Sequence, residues 1–110
     1  MIHVEIERTK DGKIRAFTMK GHANFAQHGQ DIVCAGASAV SFGAVNSIMV
    51  LTNVQPYITQ GENGGYLRCE LPPIDDEATA EKVQLLLEAM LVSLQTIERD
   101  YGEYIRVIQR

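Results

Sequence analysis

His22 and Cys34 are the residues of this chain best suited to do chemistry together. They lie in the stretch Gly21-His22-Ala23-Asn24-Phe25-Ala26-Gln27-His28-Gly29-Gln30-Asp31-Ile32-Val33-Cys34-Ala35-Gly36-Ala37-Ser38. The histidine ends a strand-like segment, a polar glycine-containing loop follows, and Asp31 opens a helix whose first turn carries the cysteine. The thiolate is the reactive form of cysteine, and a helix N-terminus and a neighbouring imidazolium both favour it. A lone cysteine is more often a small buried hydrophobe, so the weight of the reading falls on this context. Asp31 reads first as a helix N-cap, with imidazole orientation, as in a triad, a second role open to it. Ser38 falls one turn after Cys34 on the same helix face, in a supporting position. Gly21 and Gly29 read as hinges of the loop between His22 and Cys34, and Gly36 as a point of close approach.

Competing chemistries are weaker. His22, His28 and Cys34 would give zinc three ligands where a structural site takes four, and no Cys-x-x-Cys pair is present, so no metal and no cofactor are expected. Cys69 lies in a strand-like segment and reads as a core residue rather than a resolving thiol. His3 and His28 read as solvated.

The elements that must position the pair are legible from periodicity. Ile2, Val4 and Ile6 alternate with polar residues, and Asp11-Gly12 marks a hairpin turn into a second strand, Ile14 to Met19. Ala16-Phe17 breaks the alternation and predicts a bulge. The first helix should run from Asp31 to about Asn53, where Asn53-Val54-Gln55-Pro56 stops it. Its glycines, Gly36 and Gly43, predict tight packing by the sheet, a second helix or another subunit. Strands at Tyr57 to Gln60 and Tyr66 to Leu71 flank the turn Gly61-Glu62-Asn63-Gly64-Gly65. Asp75, Asp76 and Glu77 start a second helix with an apolar stripe from Val83 to Ile97, and Tyr104 to Ile108 closes the chain as a strand. The expected fold is α+β, a single domain over residues 1–110 in ββαββαβ order. Its mixed five-stranded sheet would carry two helices on one face, leaving the other face to solvent or a second subunit.

With 110 residues, 45% of them apolar, the chain can bury a core of its own. Its net charge of −4 argues against nucleic acid as a direct ligand, which calls for a basic footprint, and suits a basic peptide better. Ile32 to Leu51 is uncharged over a membrane-spanning length, yet is rich in Ala, Gly and Ser, and reads as a core helix rather than a span. The acidic first residues are unlike a secretory signal, and a reducing cytoplasm is expected.

The run Gly21-His22-Ala23, Gly29, then Asp31 to Ala39 resembles the signature of the ribosomal-processing cysteine protease Prp family of bacteria. The resemblance extends to Gly43-Ala44-Val45-Asn46, to Asn63-Gly64-Gly65 and to Met90 through Ile97, most of the chain. It implies a cytoplasmic, homodimeric endopeptidase that removes an N-terminal extension from a large-subunit ribosomal protein, cutting after Phe in a Phe-Phe-Ala-type sequence. Cys34 would be the nucleophile, His22 the general base, and the loop from Ala23 to Gln30 a mobile cover over the peptide. The oxyanion is expected to rest on amides at the start of the Cys34 helix, Cys34's own included, and Phe25 or Tyr57 to line the pocket for the substrate Phe. Two further readings are a non-enzymatic assembly factor that binds the ribosomal protein's tail, and a general cysteine hydrolase without sequence preference.

Overall fold

Alternation along the first strand sets the two faces of the sheet. In the computed structural model, which describes residues 1–110, β1 (Ile2–Arg8) buries Ile2, Val4 and Ile6 and turns His3, Glu5 and Glu7 the other way. β2 (Ile14–Lys20) pairs with β1 antiparallel, and β4 (Tyr66–Glu70) pairs with β2. β3 (Tyr57–Gln60) forms one edge, and β5 (Ile105–Gln109) lies parallel to β1 at the other. The order is β3-β4-β2-β1-β5, a mixed five-stranded sheet, and the chain runs ββαββαβ as its sequence predicts.

Two helices cover the face that carries Ile6, Phe17 and Cys69, which lie side by side across β1, β2 and β4. α1 (Ile32–Thr52) buries Val33, Ala37, Ser41, Val45 and Ile48, and the Ser41 hydroxyl donates to Met19 Sδ of β2 at 3.4 Å. α2 (Glu77–Tyr101) buries Val83, Leu87, Met90, Leu91 and Leu94. α1 is long and apolar enough to pass as a membrane span by composition, but its inner stripe belongs to this core. Its end follows from local chemistry: Asn53 takes up a left-handed conformation (φ 60°), which asparagine tolerates, and its N–H caps Met49 O.

The opposite face of the sheet is charged. Arg68 bridges Glu7 and Glu70 and also reaches Thr18, while Arg15 pairs with Glu7 at 2.8 Å. These contacts hold the Glu7 carboxyl below its usual range, the hydrogen bond from Arg68 first; burial opposes them and loses. Such a surface suits solvent. The bulge falls one residue earlier than the break in alternation suggests: Glu7 faces Ala16 but Arg8 faces Ile14, so Arg15 is the extra residue. Ala16 and Phe17 are both buried for different reasons, Ala16 beneath the ion pairs and Phe17 in the core.

The glycines of α1 are not sites of tight packing within this chain. A Cβ on Gly36 would meet Ile97 Cδ1 of α2 at 3.6 Å, an ordinary contact, and one on Gly43 would meet nothing within 4 Å. Gly36→Ala is therefore expected to raise stability by about 0.5–1 kcal/mol through helix propensity, as read by urea denaturation. A loss of stability would show that the two helices sit closer than this.

Candidate active site

The end of β2 is held from two sides. Gly21 has φ +95°, and a Cβ there would collide with the Met1 carbonyl oxygen, so close approach to the chain just before β1 by itself requires glycine. Its N–H donates to Gly65 O at 2.8 Å, which ties the residue before His22 to the turn between β3 and β4. The His22 ring lies against that turn: a Cβ on Gly65 would fall 2.8 Å from His22 Nε2.

The next residue reaches the thiol. Ala23 is buried, and its N–H donates to Cys34 Sγ at 3.4 Å. The sulfur is half-buried and forms no hydrogen bond with His22. Cys34 is set at this place by Asp31, whose Oδ1 accepts from the Val33 and Cys34 amides at 3.0 Å each. Its other oxygen, Oδ2, accepts from Phe25 N–H at 2.8 Å and Ala26 N–H at 3.2 Å. One carboxylate thus caps α1 and pins the start of the loop.

Burial of Asp31 opposes its ionisation, but the amides of Cys34, Ala26, Phe25 and Val33 outweigh it and hold the carboxyl below the usual range. All of its hydrogen bonds go to backbone amides and none to His22, so it does not orient the imidazole. The same cap engages the Cys34 amide, while the Ala35 amide donates to Asp31 O. Cys34's own N–H is therefore committed in this state and not open to an oxyanion.

The loop itself is compact. Gln30 N–H closes a turn onto Gln27 O, with Gly29 at its third position and φ +87°, the value a type II turn needs there. Phe25 stands edge-on to Tyr101 and Tyr104, with ring centroids 5.7 and 5.1 Å away.

Between this loop and the β3–β4 turn lies a cleft of about 730 Å³ that exposes both His22 and Cys34. Its apolar lining includes Ile2, Met19, Phe42 and Leu67, and Ser38 lines it without making a hydrogen bond. Neither Phe25 nor Tyr57 lines it, contrary to the sequence reading: Phe25 is spent on the tyrosines, and Tyr57 lies exposed on edge strand β3. His28 shares the cleft, but no three His, Cys, Asp or Glu side chains converge as a ligand set. The Ala23 amide and Gly65 escape a reading by side-chain type, because both act through the backbone. The only trace in the sequence is Gly64-Gly65, which reads as a turn.

Asn in place of Asp31 keeps one acceptor for the helix but turns an NH₂ group towards the Phe25 and Ala26 amides. In Asp31→Asn, hydrogen exchange at Phe25 and Ala26 should speed up while Val33 and Cys34 stay protected; equal acceleration at both pairs would contradict the division of labour. Because the folded carboxyl is depressed, the advantage of wild type over this variant should be complete above the ordinary carboxylate range. It should be lost as pH falls through the lower folded value.

Comparison with known proteins bears on what this cleft does. A family model described as Cysteine protease Prp matches residues 1–106. The Bacillus subtilis ribosomal processing cysteine protease Prp is 53% identical over 97% of this chain and 96% of its own length. Its Staphylococcus aureus counterpart is 46% identical over 97% of each chain. The crystal structure of the S. aureus protease with a covalently linked product peptide superimposes with a TM-score of 0.92, at 44% identity over the whole of both chains. The S. aureus protease with a substrate peptide gives 0.84, at 43% identity and the same full coverage. Matched in sequence from Met1 nearly to its end and in fold across every residue, this chain belongs to the Prp family of cysteine proteases.

Proposed function

We propose that this protease cuts through a dyad in which Cys34 is the nucleophile and His22 the general base. The observation that carries the assignment is the contrast between the two cysteines. Cys69 is buried in β4, and desolvation pushes its thiol up to about 11, which leaves it inert near neutral pH. Cys34 opens onto the cleft with an amide hydrogen on its sulfur. Among the histidines, His22 is the one bonded in sequence to the residue that touches that sulfur.

The chemistry then runs in two halves. His22 takes the Sγ proton as the thiolate attacks the scissile carbonyl, and the tetrahedral oxyanion collapses to a thioester as His22 protonates the leaving amine. Water, deprotonated by His22, adds to the thioester, and the collapse returns the thiol and releases a carboxylic acid. The Ala23 N–H steadies the sulfur while it is charged. Peptide binding brings His22 and Cys34 into hydrogen-bond contact, with the 23–30 loop shifting over the peptide.

The substrate proposed is the N-terminal extension of a large-subunit ribosomal protein, cut after Phe in the cytoplasm. The ribosomal-processing role of the relatives and the peptide complexes of the S. aureus protease support a ribosomal peptide substrate; the extension, the cut after Phe and the compartment are part of the proposal. The cleft adds support, because its half-buried Phe42 and exposed Ile32 offer apolar surface for a phenyl ring. The net charge of −4 favours a basic tail by long-range attraction that salt weakens. Membership in a protease family sets aside a purely binding assembly factor.

We place a second copy of the chain along α1. Ala39, Gly43, Asn46 and Val50 form an exposed, uncharged stripe that nothing in this chain covers. Wild type should sediment at micromolar concentration as twice its 12.2 kDa mass, and Gly43→Glu as a monomer. Monomeric wild type would contradict the pairing.

Cleavage of a peptide with a Phe-Phe-Ala junction, followed by mass spectrometry, tests the dyad. Cys34→Ala and His22→Ala should each lose roughly 10³-fold or more in rate, while His28→Ala stays close to wild type. Wild-type cleavage by either dyad variant would refute the assignment.

A further inference from the structure

The contact between the β3–β4 turn and the catalytic wall assigns a task to a residue without a side chain. We propose that Gly65 is a positioning residue for the His22 imidazole, its bare Cα forming the surface on which the ring rests. This builds on the reading of His22 as general base.

Three distances carry it. A Cβ at Gly65 would lie 2.8 Å from His22 Nε2, 3.1 Å from Cε1 and 3.5 Å from Cδ2, so it would occupy space the ring now fills. The wall cannot easily retreat. Gly65 O accepts the Gly21 N–H at 2.8 Å, and the residue after Gly65 is held by β4, where Tyr66 pairs with Lys20 and Leu67 with Met19. The ring, by contrast, can move: His22 is exposed, and rotation about its side-chain bonds relieves the collision at little cost to the fold. An added methyl group at Gly65 therefore displaces the base and spares the structure.

Gly64 supplies an internal control. It has φ +76° and Gly65 has φ +73°, so alanine at either position meets similar backbone strain. A Cβ on Gly64, however, meets nothing within 4 Å. The difference between the two alanine variants isolates the collision with His22.

The test compares Gly65→Ala with Gly64→Ala in melting temperature, in kcat and KM on the Phe-Phe-Ala peptide, and in the NMR signal of the His22 ring. The two variants should melt together. Gly65→Ala should lose about 10²-fold in kcat with KM little changed, and its His22 Cε1–H resonance should shift, while Gly64→Ala loses far less in kcat and keeps the His22 resonance in place. Gly65→Asn, whose side chain tolerates the left-handed conformation yet brings the same Cβ, should behave as Gly65→Ala; it serves as the test should the alanine variant fail to fold. Equal rates and an unmoved His22 signal in the Gly65 variants would overturn the proposal, even with His22→Ala inactive. A fully active His22→Ala would instead overturn the dyad itself.

Discussion

Both oxygens of one nearly buried carboxylate are committed to backbone amides, and the shape of the cleft depends on that commitment. Asp31 joins two pieces of chain that share no other regular pairing, the first turn of α1 and the beginning of the loop after His22. An N-cap needs only one acceptor for the orphan amides of a helix. The second oxygen is free to do something else, and here it gathers Phe25 and Ala26. With the loop drawn in, Ala23 N–H meets the Cys34 sulfur, and Phe25 finds the faces and edges of Tyr101 and Tyr104. Four amides around one carboxylate also explain why its charge survives burial.

The rest of the cleft wall is built from backbone brought unusually close. Gly21 lies where a side chain would strike the Met1 carbonyl, and Gly65 where one would strike the His22 ring. The hydrogen bond between these two glycines links the N-terminal strand, the histidine and the β3–β4 turn into one unit. This arrangement places the thiol and the imidazole on separate elements, α1 and the end of β2. Their relative position is thus set by sheet register and by Asp31, and both open onto the cleft.

How much of this was legible in the sequence depended on whether side chains or backbone carried the information. Alternation at Ile2, Val4 and Ile6, the stripe from Val83 to Ile97, the cap at Asp31 and the acidic run Asp75 to Glu77 located the elements to within a residue or two. The bulge was displaced by one because two adjacent buried residues, Ala16 and Phe17, do not say which strand residue has lost its partner. Phe25 was expected, with Tyr57, to line the pocket for the substrate Phe. Its true partners lie near the far end of the chain, and such contacts leave no local pattern. Gly36 and Gly43 suggested close packing, yet a glycine in a helix records only the absence of a side chain, and here α2 stays at ordinary distance. The converse held at Gly65, which read as a turn residue and proved to adjoin the histidine.

On this mechanism the peptide passes through a covalent bond to Cys34. Turnover of the Phe-Phe-Ala peptide, quenched rapidly in acid and followed by intact-mass and peptide-mapping mass spectrometry, tests it most directly. The enzyme's mass should rise transiently by the acyl portion on the N-terminal side of the cut, mapping to the segment that contains Cys34. Full turnover with the acyl group found on another residue, or with no covalent species at any quench time, would contradict it.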